Sequence, residues 1–443
     1  MNKRAKTDQW DLKTTTKALR TKNPIRRIVD KIASAPRKTD KELIPLSLGD
    51  PTVYGNLLPP EGLTEAVVRQ VRARRCNGYA HSAGVAHVRS SVAKFMSDPG
   101  GVATYTADDV VFGSGGSGAL EMAITATVDE GDNLLVPAPG FPLYQVIAES
   151  NGSFVKPYPL LPDRGWEVDC AALDALVDSK TKAIVVNNPS NPCGSVFSDD
   201  NLKAIVAVAE KHQLPIIADE IYGTMTFSGT PFTPIAAVAP NVPVLTVSGM
   251  AKMLLVPGWR VGWLCIHDGG RDLAELRSGI MNLSQLILGA NTLAQAALEE
   301  YLSSGGPPTD GGGGGSGEIA SFNREYVRTL ESSAHFSVAS LSKAHGLKVI
   351  EPKGAMYMMV QVLPELFDEA VGDDKDFAQK LLEEESVFVL PGSCFGAPNF
   401  FRVVFTAPQE KLGEAYARIA EFCEAHKKTG GGGGGGSGAS SSS

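Results

Sequence analysis

Three chemically capable residues stand at the ends of apolar runs in this 443-residue chain: a lysine, an aspartate and an arginine. Lys252 sits in Gly249-Met250-Ala251-Lys252-Met253-Leu254-Leu255, directly after the run Val242 to Val247, and Arg260 follows eight residues later. A lysine leaving a strand end between small residues can hold its amine in a pocket and form an imine with a carbonyl compound, while a separate cation meets a phosphate. Asp219 closes the run Leu214 to Ala218 and leads into Glu220-Ile221-Tyr222. A carboxylate at the end of a buried strand is costly without a cationic partner. A pyridinium nitrogen is such a partner, the carboxylate keeping the ring protonated as an electron sink, and Tyr222 is near enough to reach a ring hydroxyl. Taken singly, each has a plainer reading: Lys252 as a solvated loop charge, Asp219 as the cap of the next helix.

Other segments bear on the choice. Asp109 to Phe112 runs into Gly113-Ser114-Gly115-Gly116-Ser117-Gly118, after which Ala119 to Thr127 has a helical pattern. Glycine amides and a helix start can cradle a phosphate. The same stretch matches the dinucleotide fingerprint, but Asp132, the acid at the right count, precedes its strand instead of ending it. It also nearly matches a hydrolase elbow at Ser117, with Ala119 where a glycine belongs. Pro137 to Tyr144 is a proline-stiffened turn able to hold Phe141 against a flat ring, or to bury it in the core. Asn191, in Asn187-Asn188-Pro189-Ser190-Asn191-Pro192, could donate to a phenolic oxygen, and its bond to Pro192 is a candidate cis peptide.

Positioning these residues requires a particular scaffold. Strand-like runs at 109–112, 133–136, 183–186, 214–218, 242–247 and 261–266 alternate with helical patterns such as Asp199 to His212. Nearly continuous apolar strands between helices predict an α/β fold, a mostly parallel sheet sandwiched by helices, whose ligands gather at strand carboxyl ends. A helix is expected from Pro24 after Asn23, and a long one over Phe322 to Ser333. Runs near Gly354 to Val362 and Phe400 to Phe405 predict an antiparallel sheet in a smaller α+β domain. The expected division is a mobile arm over 1–22, a segment 23–75 contributing to the small domain, a large domain 76–330 and a small domain 331–428. Gly/Ser-rich stretches at 305–317 and 429–443 are expected to be flexible.

A net charge of −8 argues against a nucleic-acid backbone as partner. Six scattered cysteines, without a CxxC pair, suit a reducing compartment better than a disulfide framework or a zinc site, so no metal is expected. No apolar run approaches the ~18 residues that span a bilayer. The basic start lacks a secretory core, and Asp8 and Asp11 fit poorly with a mitochondrial leader, which points to the cytoplasm with the mitochondrion as the other compartment open to it.

The series SLGDP, NGY at 77–79, SGGSGA, PGFPLY, NNPSNPCG, ADEIYG and GMAKMLLVPGWRVG, in this order and spacing, resembles the fold-type-I pyridoxal-phosphate aminotransferases over about Asn23 to Ala425. Within them, GDPTVYGN, SVFS, LVPGWR, GAMY at 354–357 and PNFFRVV at 398–404 are most like the tyrosine aminotransferase branch, including its trypanosomatid members. The resemblance implies that Lys252 carries pyridoxal phosphate as a Schiff base and, once displaced by substrate, shuttles the proton. It implies that Asp219 pairs with the pyridine nitrogen, Asn191 and Tyr222 hold the ring oxygen, and Phe141 stacks on the ring. Gly116, Ser117 and Arg260 would bind the phosphate, with Tyr79 reaching in from a second subunit of a homodimer. Arg402 would grip the substrate α-carboxylate, and Gly49 would contact it through its backbone. Many relatives have a hydroxyl residue three before the lysine, where this chain has Gly249 with Ser248 one step back. The implied reaction moves the amino group of an aromatic L-amino acid, tyrosine first, to 2-oxoglutarate or pyruvate, giving 4-hydroxyphenylpyruvate in amino-acid catabolism. A broad-specificity or alanine-type aminotransferase, or a lyase on the same cofactor, would use the same residues; a hydrolase built on Ser117 or a non-catalytic regulator would not.

Overall fold

A computed structural model of the chain describes residues 12–34, 36–303 and 318–428. Its centre is an eight-stranded sheet made of β1 (Val110–Ser114), β2 (Asn133–Ala138), β3 (Phe154–Leu161), β4 (Glu167–Val168), β5 (Thr181–Asn187), β6 (Ile216–Asp219), β7 (Val244–Gly249) and β8 (Val261–His267). The order is β1-β8-β7-β6-β5-β2-β3-β4. The inner strands run parallel, and β8 lies antiparallel to both β1 and β7.

Alternate residues of these strands enter two separate cores, so both sheet faces are covered. Leu134, Ile217, Leu245, Val247 and Leu264 pack with Leu120 and Ile124 of α1 (Gly115–Thr127). Leu135, Ile216, Ala218, Val244 and Trp263 pack on the other face with Leu202, Ile205 and Ala209 of α2 (Asp199–His212). The continuous apolar strands seen in the sequence are the direct consequence of this double burial. α2 spans the predicted residues, with Ser198 capping its start and the left-handed Gln213 ending it.

The strands β3 and β4 were not foreseen. Pro157 and Pro159 argue against a strand, but β3 pairs continuously with β2 and meets β4 only at Leu160 and Leu161, so the prolines lie where the ladder is one-sided. A second, four-stranded antiparallel sheet comprises β9 (Leu347–Val349), β10 (Tyr357–Val362), β11 (Leu390–Pro391) and β12 (Phe400–Val404), in the order β9-β10-β12-β11. Its core, with Phe377, Phe401 and Phe405, is filled by the long helix α3 (Glu318–Leu341) and by α4 (Gln409–Ala425), and it reaches Ile44 and Leu46 of the N-terminal segment. Ile44–Pro45 pairs with Val387–Phe388 in a separate two-stranded sheet, which joins that segment to the C-terminal part of the chain. The helix expected after Asn23 forms at Pro24–Ala33, with Asn23 as its cap.

Of the arm expected to be mobile, residues 12–22 are described, and Thr16–Arg20 is a short helix whose Arg20 meets Glu130. The rest of that arm, the stretch 304–317 and the tail from 429 lie outside the described residues. Among the described residues no helix is long and apolar enough to cross a membrane, no group of His, Cys, Asp and Glu could hold a metal, and all six cysteines are free.

Candidate active site

The carboxyl ends of β1, β2, β5, β6 and β7 lie along one edge of the large sheet. β8 is antiparallel, with Val261 opposite Ser114, so its first residues start from that same edge. Each strand end therefore delivers candidates: β1 leads to Gly116 and Ser117, β2 to Phe141, β5 to Asn191, β6 to Asp219 and Tyr222, β7 to Lys252, and β8 follows Arg260. The sheet topology thus gathers residues separated by more than a hundred positions.

At the glycine-rich end, close packing is built into the backbone. Arg260 adopts a left-handed conformation, and its guanidinium donates to the carbonyls of Ser114 and Pro257, both at 3.0 Å. It lies against Gly115, where an added Cβ would sit 2.6–2.8 Å from the guanidinium atoms. A Cβ at Gly262 would come within 2.4 Å of the Gly115–Gly116 backbone, so the helix start can approach β8 only because both sides lack side chains there. Ser117 is exposed at the first turn of α1. Backbone crowds Gly249. A Cβ there would be 2.8 Å from Gly262 Cα, and Ser248, one step back on the strand, lies on the opposite face. Ser248 instead lines a separate cavity of about 750 Å³ with Glu220, Met253 and Arg328, behind the sheet.

Asp219 is 5% exposed. Its Oδ2 accepts a hydrogen bond from the Tyr144 hydroxyl at 2.6 Å. Burial pushes its pKa up to about 6, against the pull of the Tyr144 hydrogen bond, the Ile221 amide and the charge of Lys252. Tyr144 was missed in the sequence; it lies one helical turn from Phe141, and the two rings meet edge to face at 5.8 Å.

The smaller sheet supplies the remaining groups. Arg402, 3% exposed, donates from Nη1 to Asn191 Oδ1 at 2.9 Å and from Nη2 to the Ser47 carbonyl at 2.6 Å. Its guanidinium lies between the rings of Tyr357 and Phe395, 4.6 and 4.7 Å from their centroids. Arg402 Nε is buried without a partner, and no carboxylate among the described residues pairs with the charge. Asn191, with its oxygen taken by Arg402 and its amide N–H donated to Asn187 Oδ1, keeps its side-chain NH₂ for another acceptor. Its bond to Pro192, the candidate cis peptide, is cis. Lys252 Nζ donates to the Gly49 carbonyl. That carbonyl cannot meet a carboxylate, so only the N–H of Gly49 could do so. Tyr222 shares a hydrogen bond of 2.8 Å with Tyr357, whose sequence signal is only its place in the GAMY motif. Tyr79 is 94% exposed and stands apart from this cluster in its own chain.

These residues fit pyridoxal phosphate. A buried carboxylate without an ion-pair partner suits a pyridinium, a side-chain-free helix start beside an arginine suits a phosphate, and a lysine on the same edge suits the aldehyde. The unpaired Nε and missing counter-ion of Arg402 suit a substrate carboxylate.

The sequence pattern of "Aminotransferase class I and II" matches residues 41–419. The chain is 44% identical over 422 residues to a tyrosine aminotransferase of Dictyostelium discoideum, covering 95% of this chain and 98% of that protein. Its fold is similar to the crystal structure of tyrosine aminotransferase from Leishmania infantum, with a TM-score of 0.87, 36% identity, and coverage of 95% of this chain and 100% of that one. It is also similar to an alanine aminotransferase from Pyrococcus furiosus, with a TM-score of 0.84 and 28% identity over 94% of this chain and all of the other. Pattern, relatives and fold agree: the chain belongs to the class I and II aminotransferases, the pyridoxal-phosphate enzymes that transfer amino groups between amino acids and 2-oxo acids.

Proposed function

We propose that this enzyme transaminates L-tyrosine and related aromatic amino acids, passing the amino group to a 2-oxo acid such as 2-oxoglutarate or pyruvate. The observation that carries the reading is Arg402: a buried guanidinium with neutral partners, an unpaired Nε and two aromatic walls. It holds a carboxylate in its plane, and no second buried arginine among the described residues borders the cluster to greet a side-chain carboxylate. The names carried by the Dictyostelium and Leishmania proteins support tyrosine as the donor.

The cofactor, when bound, supplies an electron sink next to the substrate α-carbon. Each residue then has a role we assign by its place. Asp219 holds the pyridine nitrogen protonated; its burial is the cost of that role, offset when the cation arrives. Asn191 and Tyr222 donate to the ring oxygen, Phe141 covers the ring face, and Gly116, Ser117 and Arg260 hold the phosphate. Lys252 anchors the cofactor and afterwards moves the proton at the α-carbon as a general base. Arg402 orients the carboxylate, so that the bond to be broken is fixed before the proton moves.

We also propose a homodimer in the cytoplasm, divided as 23–75 with 331–428 and 76–330. Tyr79, Leu286, Ile287 and Leu288 are exposed by more than half, and their turns lie together, since Ser284 Oγ donates to Ser82 and Thr292 to the Cys76 carbonyl. Such a patch suits a second copy, through which Tyr79 would enter the neighbouring site. The test of the function is a donor and acceptor screen of wild type against Lys252→Ala. The wild type is expected to be yellow and bleached by borohydride, and the variant to lack both the borohydride-sensitive colour and turnover. Normal turnover by the variant would end the reading.

A further inference from the structure

Tyr357 stands where the two sheets of the molecule meet in the site. It is 1% exposed. On β10 it pairs with Val404, which makes Arg402, two residues back on β12, its diagonal neighbour on the same face. Three contacts follow. Its ring lies under the Arg402 guanidinium at 4.6 Å. Its hydroxyl is 2.8 Å from that of Tyr222, with the two rings edge to face at 5.6 Å. Gly49 closes the other side, where an added Cβ would stand 2.7 Å from the Tyr357 oxygen.

Two phenols sharing one hydrogen bond have two protons, of which the bond uses one. If Tyr222 spent its proton on Tyr357, it would meet the cofactor ring oxygen with lone pairs, acceptor against acceptor. If Tyr357 donates, the Tyr222 oxygen is satisfied and its proton is free. Burial holds the Tyr222 proton on well above the usual tyrosine range, so Tyr222 arrives as a donor.

We propose that Tyr357 is a positioning residue: its hydroxyl donates to Tyr222 and thereby directs the Tyr222 proton to the cofactor ring oxygen, while its ring forms one wall of the slot in which Arg402 takes the substrate carboxylate. This rests on the reading of Tyr222 as a ring-oxygen donor. One side chain of the smaller sheet thus serves both the cofactor and the substrate ends of the site.

The two contributions separate experimentally. A donor to the ring oxygen favours the deprotonated form of the Lys252-linked chromophore, so weakening the donor raises the pH midpoint of its visible absorbance. In cofactor-loaded protein, Tyr222→Phe is expected to raise that midpoint, and Tyr357→Phe to raise it less, by about half a unit. The double variant should match Tyr222→Phe alone, because Tyr357 acts through Tyr222. Tyr357→Phe keeps its ring and should leave KM for amino acids within about twofold. Tyr357→Leu should raise KM for every amino acid by roughly 3- to 30-fold, the range of a buried cation–π contact. If Tyr222→Phe shifts the midpoint but Tyr357→Phe does not, or the double variant is additive, the proposal is overturned while the Tyr222 reading stands. If Tyr222→Phe itself leaves the midpoint unmoved, that reading falls and the proposal with it. A KM unchanged in Tyr357→Leu would remove the carboxylate half.

Discussion

The Tyr144 hydroxyl donates to Asp219 Oδ2 at 2.6 Å, with both groups sealed from solvent. The phenol comes from the helix Leu143–Ser150 and the carboxylate from the end of β6, so a bond between two elements fixes the acid expected to face the pyridine nitrogen. Hydrogen bonds to a charged group contribute about 1.5–3 kcal/mol. Tyr144→Phe is therefore expected to loosen cofactor binding by roughly ten- to a hundredfold, read as the dissociation constant of pyridoxal phosphate by fluorescence titration. Unchanged affinity would mean that Asp219 is held well enough by the Ile221 amide alone.

Burial raises the Asp219 pKa from the ordinary 3.8 to about 6. The folded, cofactor-free protein thus binds a proton more readily than the unfolded chain between those values. Stability from this group falls as pH rises from about 4 to about 6, and a penalty of up to about 3 kcal/mol is fully present above that window. Asp219→Asn removes the titration while keeping an oxygen for Tyr144. Cofactor-free Asp219→Asn should melt at a higher temperature than wild type at pH 7.5, with the gap closing towards pH 4. Glu220, pushed up to about 8 by burial and further by the Asp219 charge, adds a slope of the same sign, which Asp219→Asn lessens by removing that charge.

Much of this site could be read from the chain, because strand ends carry their chemistry as local motifs. The apolar run before Lys252 and the one before Asp219 announced both strands, and the parallel sheet implied a shared edge. The residues that escaped notice act through partners far away in sequence. Tyr144 looks like a helix residue until β6 is placed beside it, and Tyr357 acquires meaning only when Arg402 and Tyr222 arrive from positions 45 and 135 residues away. The edge strand β3 was hidden by its prolines, since sequence alone does not reveal which side of a ladder is open.

Arg402 has only neutral partners, the side-chain oxygen of Asn191 and the carbonyl of Ser47, and burial lowers its pKa from the ordinary value. The proposed α-carboxylate would supply the anion this position lacks. Arg402→Ala should lower kcat/KM by roughly two to three orders of magnitude for every amino acid tested, because the lost contact is common to all. Arg402→Lys should recover only part, having charge without the planar fork. A defect confined to tyrosine would place Arg402 at the side chain instead of the carboxylate.

The glycine three before the lysine gives a prediction opposite in sign to what the pattern of relatives suggests. Restoring a hydroxyl with Gly249→Ser ought, by that pattern, to add a phosphate contact. Here the new Cβ would meet backbone on two sides, Gly262 Cα at 2.8 Å and the Val261 carbonyl at 2.9 Å, and neither is a flexible side chain that can swing away. β7 and β8 are paired through this point, Gly249 opposite Gly262, so relief requires parting two strands whose neighbours fill both cores. Overpacking of this kind costs about 1–3 kcal/mol. Gly249→Ser should therefore lower the melting temperature of the cofactor-free protein and weaken its hold on pyridoxal phosphate. Gly249→Ala should lower the melting temperature similarly, since the Cβ and not the hydroxyl causes the clash. Tighter cofactor binding by the serine variant alone would show that the strands yield and that the missing hydroxyl, not the packing, limits the phosphate grip.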